Sequence, residues 1–123
     1  MSHRILVADD EKNIATALKF MLERSGFEVL IAENGVAALN AMESDPPDLV
    51  LLDVMMPGMN GYEVCQRIRE NPRWQATRIV MLTAKGRDVD VEKGLALGAD
   101  AYVTKPFSTK DLLATVRTML GAA

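Results

Sequence analysis

The stretch LVLLDVMMPG, residues Leu49–Gly58, decides the fold of this chain. It begins with four apolar residues, which are followed by a single carboxylate, Asp53. The stretch ends with a Pro-Gly pair. Such a run is typical of a strand buried on both faces, which implies a parallel sheet covered by helices. An ionised Asp at the end of that strand is costly unless it is paired. Because a helix cap or a surface loop is the commoner place for such an Asp, the ends of the other strands decide its role.

The composition excludes several classes of protein. A chain of 123 residues with 49% hydrophobic and 25% charged residues fits one globular domain, so we expect a single domain over residues 1–123. No apolar run approaches the ~20 residues of a bilayer span and no signal peptide is recognisable, which predicts a cytoplasmic protein without membrane contact. A net charge of -3 and the lack of a basic stripe argue against direct binding of nucleic acid. The single cysteine, Cys65, excludes an internal disulfide and is expected in the core.

Strand and helix patterns alternate along the chain. Short apolar runs predict five strands, at 4–8, 28–32, 49–53, 78–83 and 101–104. Apolar residues at helical spacing follow each run and predict five helices. The fourth helix, roughly 88–97, has only Val91 and Leu95 as a clear inward pair, plus Gly94, so it should be the most loosely held.

Five such strand–helix units predict an α/β fold with a single doubly wound, five-stranded parallel sheet. The second and fifth strands are the least apolar and are therefore the natural edges. The predicted strand order is 2-1-3-4-5, the flavodoxin-like arrangement. In this order the first and third strands are neighbours where the order reverses, so a site is expected at their carboxyl ends.

Three carboxylates are expected at that edge of the sheet. Asp9 and Asp10 end the first strand and Asp53 ends the third, and neighbouring strands lie ~4.8 Å apart. At ~5 Å and an effective dielectric of about 20, each pair of ionised carboxylates repels by roughly 3 kcal/mol, so the trio requires a cation or raised pKa values. Oxygen ligands without nearby His or Cys favour a hard divalent ion, Mg²⁺ before Ca²⁺ and well before Zn²⁺.

Two further polar side chains end the neighbouring strands. Thr83 ends the fourth strand, beside Asp53, and offers a hydroxyl. Lys105 ends the fifth strand, about two strand spacings away, a distance that a long cationic side chain spans. An aspartate nucleophile, a metal ion, a hydroxyl and a cation together predict a phosphoryl-transfer site with an acyl-phosphate product.

From Arg4 to Leu120 the chain resembles a response regulator receiver domain of two-component signalling, of the kind found in chemotaxis regulators. The segments that carry the resemblance are VADDE (7–11), DVMMPGMNG (53–61), LGADAY (97–102) and KPF (105–107). It implies a phosphoacceptor that takes its phosphoryl group from a histidine kinase or phosphotransfer protein. Such a domain is not an enzyme acting on other substrates, since it catalyses only its own phosphorylation and dephosphorylation. Its fourth helix, fifth strand and fifth helix would form the switching face that controls an output domain or effector protein, which the sequence does not identify.

The resemblance also implies a role for each residue of the predicted site. The metal ligands for Mg²⁺ would be Asp9, Asp10, Asp53 and the backbone carbonyl of Met55. The phosphoryl group on Asp53 would be bound by Thr83, Lys105 and the backbone N–H of Ala84. Tyr102 would be the aromatic switch, turning inward as Thr83 moves toward the phosphate, and the Lys105–Pro106 bond is expected to be cis.

Two other functions fit the same fold. An aspartate-nucleophile phosphatase of the haloacid dehalogenase type needs a second acid two residues after the nucleophile, and Met55 stands there. A flavodoxin-like cofactor binder needs a Gly-rich phosphate loop after the first strand, where this chain has paired carboxylates. Both alternatives are therefore weaker than the receiver.

Overall fold

Five strands and five helices alternate in the computed structural model, which describes residues 3–84 and 87–121. The strands are β1 (Arg4–Ala8), β2 (Glu28–Ala32), β3 (Leu49–Asp53), β4 (Arg78–Ala84) and β5 (Ala101–Lys105). The helices are α1 (Lys12–Arg24), α2 (Gly35–Ser44), α3 (Gly61–Glu70), α4 (Asp88–Ala96) and α5 (Thr109–Leu120), with a short 3₁₀ helix at Pro72–Trp74. Within these residues no helix is long and apolar enough to cross a membrane.

The strands form one parallel sheet in the order β2-β1-β3-β4-β5, which confirms the predicted fold class. The register places the last residue of β3, Asp53, beside Leu82 of β4. It also places Ala84, the last residue of β4, beside Lys105, the last residue of β5. The strand ends that carry the predicted site therefore lie on one edge of the sheet.

Both faces of the sheet are covered, as the uninterrupted apolar run of β3 predicted. Val50 and Leu52 pack among residues of α2 and α3, whereas Leu49 and Leu51 pack against α1 and α5. All five residues of β3 are buried. Cys65 of α3 is also fully buried, and this burial raises the pKa of its thiol to about 11. The predicted core position of Cys65 is thus confirmed.

The inward face of α4 differs from the prediction. Leu95 is 45% exposed and Val91 is only partly buried, while the buried positions are Asp90 and Gly94. A Cβ atom on Gly94 would lie 3.1 Å from the side chain of Met81, so the missing side chain lets the helix approach the sheet closely. The expected inward role of Leu95 is therefore wrong, because this close approach turns Asp90 toward the protein.

Arg69 links the C-terminal end of α3, through hydrogen bonds, to the segments that lead into β4 and β5. Its guanidinium donates to the carbonyl oxygens of Gly98 and Thr77, both at 2.8 Å, and to the carboxylate of Asp100 at 2.6 Å. Asp100 also accepts the backbone N–H of Ile79 at 2.8 Å. These hydrogen bonds hold together the starts of two strands at the end of the sheet opposite Asp53.

Trp74 is expected to be insensitive to metal binding at the carboxylates. It is buried in the connection ahead of β4, at the amino end of the sheet. At ~3.3 Å per residue, β4 separates it from the carboxyl edge by about 20 Å. We therefore expect Mg²⁺ alone to leave the emission of Trp74 nearly unchanged in a fluorescence titration, and strong quenching would contradict this placement.

Candidate functional site

Three carboxylates come together at the carboxyl edge, as the sequence predicted. Asp9, Asp10 and Asp53 each offer one oxygen, and these oxygens all lie within 4.8 Å of one another. Asp9 and Asp53 are buried and Asp10 is exposed. All the potential metal ligands in this cluster are carboxylate oxygens. Such ligands fit a hard divalent cation such as Mg²⁺.

Backbone hydrogen bonds orient the two buried carboxylates. Asp9 Oδ1 accepts the backbone N–H of Glu11 at 2.9 Å, and Asp53 Oδ1 accepts that of Met55 at 3.2 Å. In both cases an Asp side chain bonds to the backbone two residues further on, an arrangement that turns the chain out of a strand. The same local geometry thus ends each strand and aims its carboxylate at the site.

Lys105 reaches the carboxylates from the end of β5. Its Nζ lies 3.1 Å from Asp9 Oδ2, 3.3 Å from Asp53 Oδ1 and 3.4 Å from Glu11 Oε1. Burial alone would lower the pKa of Lys105, but hydrogen bonding and negative charge from Asp9 and Asp53 raise it overall. Lys105 is therefore a fixed cation. The peptide bond between Lys105 and Pro106 is cis, as expected.

Thr83 presents a hydroxyl that has no partner. Thr83 is 1% exposed, and its Oγ1 atom makes no hydrogen bond to any of the described residues. A buried hydroxyl left unsatisfied costs about 1–3 kcal/mol. Thr83 follows Leu82, the neighbour of Asp53 in the sheet, so it lies near the carboxyl end of the strand beside that carboxylate.

Of three residues assigned by resemblance, two lie at the margin of this cluster and one lies outside it. Ala84 is exposed at the end of β4, next to Lys105. The Met55 side chain is 74% exposed, while its backbone N–H bonds to Asp53. Tyr102 is 46% exposed on the edge strand β5, outside the cluster. The structure thus brings Met55 and Ala84 to the site but leaves Tyr102 on the surface.

A cavity of about 220 Å³ opens beside Asp53. The residues that line it are Glu11, Asp53, Val54, Met55, Leu82, Ala84, Arg87, Asp90 and Lys105. Pockets for drug-sized ligands usually measure about 300–1,000 Å³, so this cavity is too small to enclose a flavin or nucleotide. The contributions of Arg87 and Asp90 were not predicted from the sequence, because no short motif marks them, and Glu11, although part of the VADDE segment, was given no role.

A family model for the response regulator receiver domain matches residues 5–117 of the chain. The chain belongs to this family. The receiver domain is 47% identical over 120 residues to the alkaline phosphatase synthesis transcriptional regulatory protein PhoP of Bacillus subtilis. That match covers 98% of the chain but 49% of the relative, so the receiver domain spans about half the length of PhoP.

Solved structures of receiver domains share its fold. A Chloroflexus aurantiacus structure assigned to a response regulator has a TM-score of 0.96 at 35% identity, covering 98% of this chain and 99% of that one. Chemotaxis protein CheY4 of Vibrio cholerae has a TM-score of 0.91 at 30% identity, with 97% and 99% covered. The receiver domain of a Syntrophus aciditrophicus signal transduction histidine kinase has a TM-score of 0.90 at 32% identity, with 98% and 91% covered. These matches confirm the family resemblance over the phosphatase and cofactor-binding alternatives.

The carboxyl group of Asp53 in this receiver domain has a pKa raised to about 6. Burial is the main cause, and the negative charge of Asp9 adds to it. Lys105 and the backbone N–H of Met55 oppose the shift without cancelling it. Without a metal ion, an ionised Asp53 therefore destabilises the folded domain.

Asp53→Asn is expected to stabilise the metal-free receiver domain by about 2 kcal/mol at neutral pH. Because the pKa of Asp53 is higher in the folded domain than in the unfolded chain, the folded state binds more protons between about pH 4 and 6. The contribution of Asp53 to the free energy of unfolding of the wild type therefore falls as the pH rises through that window. Urea unfolding of both proteins at about pH 7.5 and pH 4.5 measures the effect, and an advantage of the variant that does not shrink at the lower pH would contradict it.

Proposed function

We propose that Asp53 accepts a phosphoryl group from a histidine kinase or phosphotransfer protein and that this phosphorylation controls an output domain or effector protein. One observation carries the proposal: Lys105 Nζ contacts both buried carboxylates, Asp9 and Asp53. The neighbouring strand β4 carries the Thr83 hydroxyl, which is buried without a partner among the described residues. A cation thus contacts a carboxylate that lines a small cavity, and the neighbouring strand carries a buried donor. The printed name of the Bacillus subtilis relative, a transcriptional regulatory protein, supports an output on transcription.

The reaction is a displacement at phosphorus. A carboxylate oxygen of Asp53 forms a bond to phosphorus while the bond between phosphorus and the donor's leaving group breaks, and the leaving group departs with the electron pair. Asp9, Asp10, Asp53 and the backbone carbonyl of Met55 would hold Mg²⁺. When bound, Mg²⁺ neutralises charge on the phosphoryl oxygens.

The chain's own donors then stabilise the phosphorylated state. Lys105 transfers its contact from Asp53 to a phosphoryl oxygen, and the Thr83 hydroxyl gains the partner that it lacks. The backbone N–H of Ala84 supplies a third donor from the end of β4. Movement of Thr83 toward the phosphate frees space for Tyr102, now exposed, to turn inward and change the face formed by α4, β5 and α5.

Incubation with acetyl phosphate tests this function against the phosphatase alternative. In the presence of Mg²⁺ the intact mass should rise by one phosphoryl group, and without Mg²⁺ or with a chelator it should not. Turnover of small phosphate esters in place of a stable mass increase would favour a phosphatase. If the mass does not change under either condition, the proposed phosphoacceptor role is wrong.

The phosphoryl group is expected to persist longer than in fast chemotaxis-type receivers. Hydrolysis needs a water in line with phosphorus opposite Asp53, and the side chains two positions after Asp53 and Thr83, Met55 and Lys85, should flank its path. The Met55 thioether orients water poorly. Lys85, which lies outside the residues described by the structure, donates but cannot accept a proton.

A Met55→Asn, Lys85→Glu double variant should lose its phosphoryl group about tenfold faster, equivalent to a barrier lower by about 1.4 kcal/mol. Decay of the phosphorylated proteins, followed by intact mass after removal of the phosphate donor, measures the two lifetimes. Equal or slower decay in the variant would show that these side chains do not limit access of water.

A further inference from the structure

Arg87 contributes a second cation to the cavity that contains Asp53. Among the described residues that line the cavity, two are positively charged, Arg87 and Lys105. Arg87 Nε lies 3.0 Å from Asp90 Oδ2, and Nη2 lies 3.4 Å from Asp90 Oδ1. The Arg87 side chain is 59% exposed, and within the part of the chain that the structure describes it bonds only to Asp90. Although its partner is buried, the guanidinium itself is in contact with solvent, which leaves it free to change partners.

Asp90, in contrast, is fixed from inside the protein. The Tyr62 hydroxyl donates to Asp90 Oδ1 at 2.6 Å, and the Asp90 side chain is 12% exposed. The hydrogen bond from Tyr62 is the main cause that lowers the pKa of Asp90, and Arg87 assists while burial opposes. Asp90 therefore stays ionised and immobile at the wall of the cavity, and Arg87 is the movable member of the pair.

The charge inside the cavity shows why a second cation matters. Lys105 already contacts three carboxylates, those of Asp9, Glu11 and Asp53. The phosphorylated side chain carries roughly one and a half to two negative charges at neutral pH, more than the single charge of the Asp53 carboxylate that it replaces. A planar guanidinium matches phosphoryl oxygens with two parallel N–H donors, whereas an ammonium acts as a point charge. Arg87 is the remaining cation on the cavity wall that can offer this geometry.

We propose that Arg87 is a further phosphoryl-binding residue, held by Asp90 in the unphosphorylated domain and drawn to the phosphoryl oxygens once Asp53 carries the group. The inference rests on the proposed function of Asp53 and adds a residue to it. Transfer of Arg87 leaves Asp90 bonded to Tyr62 alone. Because Arg87 immediately precedes α4, its movement links occupancy of the cavity to the start of that helix.

Binding of beryllium fluoride with Mg²⁺, followed by ¹⁹F NMR, tests the inference. Beryllium fluoride adds to a carboxylate with the shape and charge of a phosphoryl group, so its affinity reports the donors of the cavity without chemistry. Arg87→Gln should weaken binding about tenfold, the effect of losing one charge-assisted hydrogen bond. Arg73→Gln is the matched control, because Arg73 also pairs with an acid, Glu43 at 3.0 Å, but does not line the cavity. Its affinity should equal that of the wild type.

Asp90 variants separate the proposed exchange of partners from simple repulsion. Asp90→Asn should tighten binding about threefold by freeing Arg87, and the same change in the Arg87→Gln background should have no effect. An equal gain in both backgrounds would mean that Asp90 merely repels the anion, and it would overturn the inference. Arg87→Lys, which keeps the charge, should recover part of the affinity and guards against a loss through misfolding.

The outcomes also distinguish this inference from the function on which it rests. A wild-type domain that does not bind beryllium fluoride with Mg²⁺ contradicts both. A wild-type domain that binds it, together with unchanged affinity in Arg87→Gln, contradicts the role of Arg87 alone.

Discussion

Asp53→Asn is expected to abolish uptake of a phosphoryl group from acetyl phosphate in the presence of Mg²⁺. The amide keeps the size of the side chain but lacks the nucleophilic carboxylate oxygen. Asp9 is not expected to replace it, because Asp9 does not line the cavity. Intact mass of the variant should show no phosphorylated species under conditions that fully convert the wild type.

The control for this experiment is Asp111→Asn. Asp111 is an exposed carboxylate in the first turn of α5 and does not line the cavity. This variant should be phosphorylated like the wild type. A stable phosphoryl group on Asp53→Asn, located by peptide mass, would transfer the nucleophilic role to another residue, and Glu11 is the first candidate because it faces the same cavity.

Gly61→Ala is expected to destabilise the domain by about 3 kcal/mol and to impair phosphorylation. A Cβ atom at Gly61 would clash with the carbonyl oxygen of Asp53 and would lie 2.9 Å from the Cα atom of Val54. Both contacts are with backbone, which cannot rotate away as a side chain can. The backbone N–H of Gly61 also donates to the carbonyl of Val54 at 3.0 Å, so α3 starts in direct contact with the end of β3.

Gly94→Ala provides the matched control for this substitution. Its added Cβ would meet the flexible side chain of Met81 at 3.1 Å, and an alanine inside a helix gains about 0.5–1 kcal/mol over glycine. We expect its stability in urea unfolding to stay within about 1 kcal/mol of the wild type. If Gly61→Ala is no less stable than Gly94→Ala, the close packing of α3 on Asp53 does not hold the site in place.

Much of the fold follows from the sequence because each strand has a simple environment. The apolar run of β3 is covered on both faces, and its strand bounds, 49–53, agree with the prediction. The ends of β4 and β5 extend one residue beyond the predicted ones, to Ala84 and Lys105, where the sequence turns polar or reaches Pro106. Strand order then places Asp53, Thr83 and Lys105 on one edge without further information.

The parts that could not be predicted depend on contacts between residues distant in sequence. Hydropathy favours Leu95 as an inward residue of α4, but the close contact at Gly94 and the hydrogen bond between Tyr62 and Asp90 orient the helix differently. Tyr62 and Asp90 are 28 positions apart, so no short motif connects them. The proposed role of Arg87 depends on its ion pair with Asp90, which Tyr62 holds in place. This role could not be predicted from the sequence, because Tyr62 is distant from Arg87 along the chain.

The burial of Cys65 makes it possible to label the domain for spectroscopy at a chosen position. Reagents such as maleimides attack the thiolate, and a thiol with a pKa of about 11 is ionised to only about one part in ten thousand at pH 7. It is the sole cysteine of the chain and is fully buried, so the folded protein behaves as a cysteine-free background for labelling. A cysteine placed at Val89, which is 72% exposed in the first turn of α4, would accept a fluorophore or spin label selectively. Such a label would report on the helix start that Trp74 is too distant to sense.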